Sequence, residues 1–337
     1  MNKFIKIIFF ILLSYSYLFF NMVKAEEKIK IGLLVPMTGS NKDLGQSIIK
    51  AVKLAVKDID SNLIEIIPKD TATKPNKTLK SAFELKEMGV RIIIGPVFHE
   101  SLTYLDEMKD LTFLSLTNQT LDIPRNVISA GINSTSQLNT IKKFIEKKNI
   151  KKTIFLTPLQ DYEFEIKKGI KDSKIKIYKD YVYDTDPTKL TNQIENITNY
   201  QIRKQNLEDE IYRIKNSNET NKEKKIKRLK KKYTLGGLNF DAVVIADFDE
   251  SLKSVSTSLL YTDVSPKNKY FITLNQWFNK SLLNETNIQP IYYPSINKDN
   301  FDNFKRKFFT EFYENPTHLS LLSYDLVGLV YYLSLKT

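Results

Sequence analysis

The chain is 337 residues long, contains no cysteine and only two histidines, and carries a formal net charge of +12. The absence of cysteine excludes disulfides, thiol catalysis, zinc–thiolate sites and attachment of a lipid to an N-terminal cysteine. The charge is concentrated in one segment, since residues 199–234 hold twelve basic and five acidic residues. A nucleic-acid-binding surface over the whole protein is therefore not indicated.

The first 25 residues have the pattern of an export signal. Lys3 and Lys6 precede an apolar stretch from Ile7 to Phe20, and Val23-Lys24-Ala25 resembles a small-residue cleavage site. We expect cleavage after Ala25 and a periplasmic location. The alternative is an uncleaved anchor, but about 14 apolar residues fall short of the roughly 20 that span a bilayer.

The mature chain opens with a strand, a turn and a helix. Residues 28–59, KIKIGLLVPMTGSNKDLGQSIIKAVKLAVKDI, run from an apolar segment through a small-residue turn into helical periodicity. Such a turn often binds phosphate. However, the spacing of Gly39 and Gly45, with Gln46 next, fits neither the P-loop nor the dinucleotide fingerprint. The turn is therefore predicted to line some other kind of binding site.

Strands and helices alternate along the rest of the chain. In a first set we predict strands at 63–67, 91–94, 112–116 and 127–132 and helices at 77–88 and 101–108. In a second set we predict strands at 152–157, 175–178, 241–246 and 270–273 and helices at 137–147, 162–171 and 252–260. The apolar runs lack period-two alternation, which is typical of parallel sheets covered by helices on both faces. The predicted fold class is therefore α/β, with two doubly wound lobes around a cleft.

A basic insertion interrupts the second set at residues 188–234. Leu207, Ile211 and Ile214 recur at helical spacing, Asn216-Ser217-Asn218 breaks the run, and a lysine-rich half follows. This pattern predicts a helical hairpin with one apolar stripe and a basic outer face. Its predicted partner-binding residues are Lys224, Lys225, Lys227, Arg228, Lys230, Lys231 and Lys232. It either docks on an acidic partner or anionic lipid surface, or is simply a solvated insertion.

Four stretches together carry a family resemblance: IGLLVPMTGSNKDLGQSIIKAVKLAV, RIIIGPVF, FDAVVIADF and LSYDLVGLV. From residue 28 to the end, the chain resembles the type I periplasmic binding proteins, the superfamily of leucine/isoleucine/valine-binding proteins. The turn at Gly95-Pro96-Val97-Phe98 and the charged helix before YTLGGLNFDAVVIADF look most like the LppC/LpoA-like penicillin-binding-protein activators.

The resemblance implies a domain layout. Lobe 1 would comprise residues 26–132 and 296–337, and lobe 2 residues 133–295. Relatives continue beyond the last helical pattern, so we expect the C-terminus to be incomplete.

The resemblance also implies a ligand site on the rim of the cleft between the lobes. The expected residues are Thr38, Gly39, Ser40, Phe98, His99, Thr117, Asn118, Gln119, Tyr162, Asp247 and Tyr324. Phe98 and His99 are bulky where amino-acid-binding relatives have small residues. This departure argues against a free amino acid as ligand, although Thr117, Asn118 and Gln119 suit a polar one. Asp247 is equally suited to capping the following helix, and Tyr324 to a place in the core.

No catalytic or metal-binding constellation is evident, and we predict neither an enzyme nor a cofactor. The chain has no G-x-S-x-G elbow and no H-x-x-H pair, and His99 is the one plausible base. Two functions remain. One is an activator-like regulator that binds a cell-wall synthase and possibly a small ligand. The other is a receptor that delivers an amino acid or another small polar solute to an inner-membrane transporter.

Overall fold

The structure is a computed structural model that describes residues 28–336, which fall into two compact units. The first unit comprises residues 28–116, 124–128 and 311–336, and the second comprises 117–123 and 129–310. The predicted signal peptide and its cleavage site lie outside the described residues. This division differs from the predicted lobe boundaries, because the second unit already includes Ser129 and extends to Thr310.

The described elements are ten strands and eleven helices, besides short 3₁₀ turns. The strands are β1 (Ile29–Val35), β2 (Ile64–Asp70), β3 (Ile92–Ile94), β4 (Thr112–Ser115), β5 (Val127–Ser129), β6 (Thr153–Pro158), β7 (Lys179–Tyr183), β8 (Ala242–Ile245), β9 (Tyr270–Thr273) and β10 (Ile291–Tyr292). The helices are α1 (Lys42–Ile59), α2 (Pro75–Glu87), α3 (Ser134–Lys147), α4 (Glu163–Ser173), α5 (Pro187–Ile197), α6 (Tyr200–Lys215), α7 (Lys222–Leu229), α8 (Asp249–Tyr261), α9 (Lys280–Leu283), α10 (Lys298–Phe312) and α11 (His318–Ser334).

The first unit is built on a sheet of order β2-β1-β3-β4-β5. The pairs β1–β2, β1–β3 and β3–β4 are parallel. From Ile31 onward β1 is buried throughout, as expected for a parallel strand covered on both faces. Helices α1 and α11 pack on each other, with a buried hydrogen bond of 2.7 Å between the hydroxyls of Ser47 and Ser320.

The second unit is built on a sheet of order β10-β9-β8-β6-β7, in which every neighbouring pair is parallel. Successive residues of its strands belong to different apolar clusters. Ile154 and Leu156 pack with residues of α5 and α8, whereas Phe155 packs with residues of α3 and α4. Both faces of this sheet are therefore covered by helices, which confirms the predicted α/β class.

Two predicted elements are wrong. The apolar residues of 101–108 recur every three positions, at Leu102, Leu105 and Met108, which is the period of a 3₁₀ helix. Accordingly, the segment forms two 3₁₀ turns, His99–Leu102 and Leu105–Glu107, rather than an α-helix.

The strand predicted at 175–178 is displaced. Ile175 packs in the core of the second unit, but its backbone takes no part in the sheet pairing. The edge strand is instead the more polar β7, which pairs with β6 from Lys179 onward. The apolar residues of this segment led to a predicted strand that begins four residues before β7.

Candidate binding sites at the carboxyl ends of the strands

The turn after β1 is fixed by the carboxylate of Asp70, the last residue of β2. It accepts hydrogen bonds from the N–H groups of Met37 (2.8 Å), Thr38 (3.3 Å) and Ala72 (2.9 Å), from the Thr38 hydroxyl (2.6 Å) and from the ammonium of Lys77. Burial alone raises the pKa of Asp70, but these hydrogen bonds outweigh it and hold the pKa well below its usual range. Asp70 thus has no lone pair left for a ligand.

The predicted residues Thr38, Gly39 and Ser40 form this turn and are exposed. Gly39 has φ of +86°, a backbone conformation that favours glycine. Gly45, in the first turn of α1, packs directly against the turn, because an added Cβ would lie 1.8 Å from the Pro36 carbonyl oxygen. The turn and the start of α1 are therefore one rigid piece.

The chain after β3 places unpaired polar atoms inside the first unit. Gly95 has φ of +100° and lies so close to β1 that an added Cβ would be 2.1 Å from the Leu34 carbonyl oxygen. Beyond Phe98, the Nδ1 atom of His99 and the hydroxyl of Ser101 are buried without a hydrogen-bond partner among the described residues. Buried polar groups usually have a hydrogen-bond partner, which a water molecule or a bound polar group can supply here.

The chain after β4 belongs to the second unit and is held there by Glu165 of α4. The Glu165 carboxylate accepts from the N–H (2.7 Å) and hydroxyl (2.8 Å) of Thr120 and from the N–H of Leu121 (2.8 Å). The predicted residue Thr117 is buried, and its hydroxyl accepts from the N–H of Gln119 at 3.2 Å. Asn118 and Gln119 are more exposed at the same segment.

The second unit gathers four donors around Asp247, two residues after β8. The carboxylate is buried and accepts from the Tyr162 hydroxyl (3.1 Å), the Phe248 N–H (2.8 Å), the Ser251 hydroxyl (2.5 Å) and the Tyr183 hydroxyl. Burial, and then the Asp247 charge, raise the pKa of both tyrosines above the usual range, so both hydroxyls stay protonated as donors. Two donors on each oxygen use all the lone pairs of Asp247.

A loop that sequence reasoning missed follows β9. Buried Gln276 donates from its amide to the carbonyls of Asp247 (3.2 Å) and Leu274 (3.1 Å), and the Asn275 side chain accepts from the Trp277 N–H (2.7 Å). The next two residues are aromatic and have positive φ, +46° at Trp277 and +57° at Phe278. Bulky residues rarely adopt this conformation, and such strain tends to occur at functional sites. The signal available in the sequence was the single tryptophan after the predicted strand 270–273.

The predicted site residues do not all come together. Tyr162 and Asp247 are in contact, whereas Tyr324 donates its hydroxyl to Asp58 at 2.6 Å. Asp58 lies in the last turn of α1, about 25 Å along that helix from the turn after β1. Tyr324 therefore ties α11 to α1 rather than lying at the strand ends.

The predicted hairpin consists of α6 and α7, preceded by α5. Arg203 is one of the twelve basic residues of 199–234, but it is buried and donates to the Thr262 carbonyl (3.0 Å) and the Thr234 hydroxyl (2.6 Å). With Leu207 and Ile214, also buried, it anchors α6 to the second unit. Arg203 thus contributes to the fold and not to the exposed basic surface.

A family model described as "Periplasmic binding protein" matches residues 28–202, more than half of the chain. The chain belongs to this family. No curated protein matches the sequence significantly. The predicted resemblance to type I periplasmic binding proteins is thereby confirmed, and the family is one of exported proteins.

Solved structures of the same fold include regulators and transport receptors. The C-domain of LpoA from Haemophilus influenzae, described as a regulator of PBP1A, is 14% identical with a TM-score of 0.61, covering 90% of this chain and 86% of that chain. Full-length LpoA from the same organism is 14% identical with a TM-score of 0.62, and the match covers 92% of this chain and 51% of that chain. A third structure is the periplasmic ligand-binding protein of a branched-chain amino acid ABC transporter from Burkholderia xenovorans. It is 13% identical with a TM-score of 0.55, and the match covers 89% of this chain and 76% of that chain. Identities this low show a shared fold.

Between residues 28 and 336, no helix combines the length and apolar character needed to cross a bilayer. In the same range, no three histidine, aspartate or glutamate side chains are grouped so that they could hold a metal ion.

Proposed function

We propose that this family member is a non-enzymatic exported regulator that binds a cell-wall synthase, as an LpoA-like protein would. The observation that carries the proposal is the saturation of Asp70 and Asp247 by the protein's own donors. A free amino acid presents an ammonium group, and holding it away from water requires an acceptor or counter-charge that is not already engaged. These two carboxylates, although they lie near strand ends, do not offer one.

A second candidate function rests on different atoms. The Nδ1 atom of His99 and the hydroxyl of Ser101, both in the first unit, are buried without a hydrogen-bond partner among the described residues. Polar atoms of this kind suit a small polar solute without an ammonium group. A receptor that passes such a solute to a transporter is therefore the alternative, and these atoms are its support.

A solute panel separates the two functions. We expect residues 26–337 to show no saturable rise in melting temperature and no change in fluorescence with free amino acids, or with small polar solutes that lack an ammonium group, at millimolar concentration. Trp277 is the only tryptophan, so its emission reports on the strand ends of the second unit without added label.

A binding solute would be unmistakable in this experiment. At 100 times its dissociation constant, a solute adds about 2.7 kcal/mol of stability. Dose-dependent stabilisation by a solute of the panel, lost in Ser101→Ala but retained in the exposed control Ser254→Ala, would overturn the regulator proposal in favour of the receptor.

A further inference from the structure

The second helix of the hairpin, α7, has an apolar side and a basic side. Ile226 and Leu229 are half-buried, whereas Lys224, Lys227 and Arg228 project from the opposite arc of the helix. The lysine run that follows the helix is equally exposed. We define the basic face as Lys224, Lys227, Arg228, Lys230, Lys231 and Lys232.

The basic face contains no acidic residue, and Glu223 in the first turn of α7 forms no ion pair with it among the described residues. Residues 224–240 contain no aspartate or glutamate. The nearby acid Glu219 already pairs with Arg213 (2.9 Å) and with Lys225, and Glu210 pairs with Arg213 (2.8 Å). Within residues 28–336, no ion pair engages the six side chains of the basic face, so their charges face water.

These charges are carried on an anchored element. Arg203, Leu207 and Ile214 fasten α6 to the second unit, and α7 packs on α6. The hairpin therefore presents its cations together, without first having to become ordered, which lowers the entropic cost of docking.

The composition of the basic face distinguishes a lipid surface from a protein surface. Five of its six cations are lysines, which are mobile point charges, whereas carboxylates of a protein partner are best matched by the fixed fork of arginine. Protein interfaces are also depleted in lysine relative to the rest of the surface. A bilayer presents diffuse charge, for which clusters of four to eight lysines or arginines are typical.

Two exposed tyrosines flank this cationic surface in the chain. Tyr233 directly follows Lys232 and is 77% exposed, and Tyr212 of α6 is 71% exposed. Tyrosine rings, apolar with a polar tip, are enriched at membrane–water interfaces.

We propose that the basic face of the hairpin binds the headgroups of anionic phospholipids in a bilayer surface. The contact is electrostatic and peripheral, because the apolar side of α7 is packed inward and is not available for insertion. This assignment goes beyond the proposed function, because it names a partner of the hairpin other than the synthase. It rests on the family's export and not on synthase binding.

Vesicle co-sedimentation tests the proposal. Residues 26–337 are expected to bind vesicles of phosphatidylcholine and phosphatidylglycerol (7:3) and not pure phosphatidylcholine, with binding lost when salt is raised from 0.05 to 0.5 M. The triple variant K224Q/K227Q/R228Q should bind the anionic vesicles roughly 100-fold more weakly, at about fivefold for each cation removed. The matched control K143Q/K147Q/K148Q removes three exposed lysines from the end of α3 and its C-cap and should bind within about twofold of the parent chain.

Several results would overturn the proposal. The first is equal binding of the parent chain to neutral and anionic vesicles. The second is an equal loss of vesicle binding in the two triple variants. The third is tight binding of soluble polyglutamate by a chain that does not bind vesicles. The last result would assign the face to an acidic protein partner. A circular-dichroism spectrum shows that each triple variant is folded. Synthase binding is measured separately without vesicles. A negative result in the synthase assay therefore does not affect the lipid proposal, and a negative result in the vesicle assay does not affect the proposed synthase binding.

Discussion

Asp247→Ala is expected to lower the free energy of unfolding of the protein by about 3–5 kcal/mol. The substitution leaves the hydroxyls of Tyr183 and Ser251 and the N–H of Phe248 without their common acceptor in a buried place. Each unpaired buried donor costs about 1–3 kcal/mol. Urea unfolding followed by far-UV circular dichroism measures the loss.

Two variants make the Asp247 experiment interpretable. Asp247→Asn keeps the shape and one acceptor oxygen and should cost less than alanine. Asp172→Ala removes an exposed carboxylate that pairs with Lys168 in α4, and should cost less than about 1 kcal/mol. A loss at Asp247→Ala no larger than at Asp172→Ala would show that Asp247 is not held by four donors and has acceptor capacity for a ligand.

Asp70→Asn is expected to cost about 2–3 kcal/mol at pH 6, because the carboxylate accepts five hydrogen bonds that hold the turn after β1. The pKa of Asp70 is lower in the folded protein than its ordinary value of 3.8. Its contribution is therefore present above that pH and is lost as the pH falls, since the unfolded chain takes up the proton first. The stability difference between the parent chain and Asp70→Asn should narrow by at least about 1 kcal/mol between pH 6 and pH 2.5.

All other carboxylates are present in both the parent chain and Asp70→Asn. Their protonation therefore cancels when the free energies of unfolding of the two chains are subtracted at each pH. Glu84→Gln breaks the exposed pair with Lys69 and serves as control, with an expected cost below about 1 kcal/mol. A difference between the parent chain and Asp70→Asn that stays constant from pH 6 to pH 2.5 would contradict the hydrogen-bond pattern of this turn.

The layered α/β fold was predictable because buried parallel strands leave continuous apolar runs. The strand predicted at 270–273 matches β9, and the pattern at 28–59 yielded β1, the turn and α1. Prediction failed at Ile175, whose side chain is buried although its backbone does not pair with a strand. It also failed at residues 101–108, where an apolar residue at every third position belongs to 3₁₀ turns and not to an α-helix. Local periodicity does not separate these cases.

The site was less predictable, because its geometry depends on residues distant in sequence. Asp247 was identified as a candidate, but its saturation depends on Tyr162 and Tyr183, which lie 85 and 64 residues away. The burial of Arg203 could not be predicted either, because its acceptor, the Thr262 carbonyl, lies 59 residues further on. The positive φ of Trp277 is a backbone conformation that the sequence pattern does not predict.

Surface plasmon resonance with a penicillin-binding protein of the PBP1A type from the same organism tests whether this chain is a synthase-binding regulator. With residues 26–337 immobilised, we expect saturable binding with a dissociation constant below about 100 µM. A transport receptor of the same fold, immobilised alongside, should give no response. Absence of saturable binding by the folded chain, with the synthase shown to be active, would contradict the proposed regulatory function.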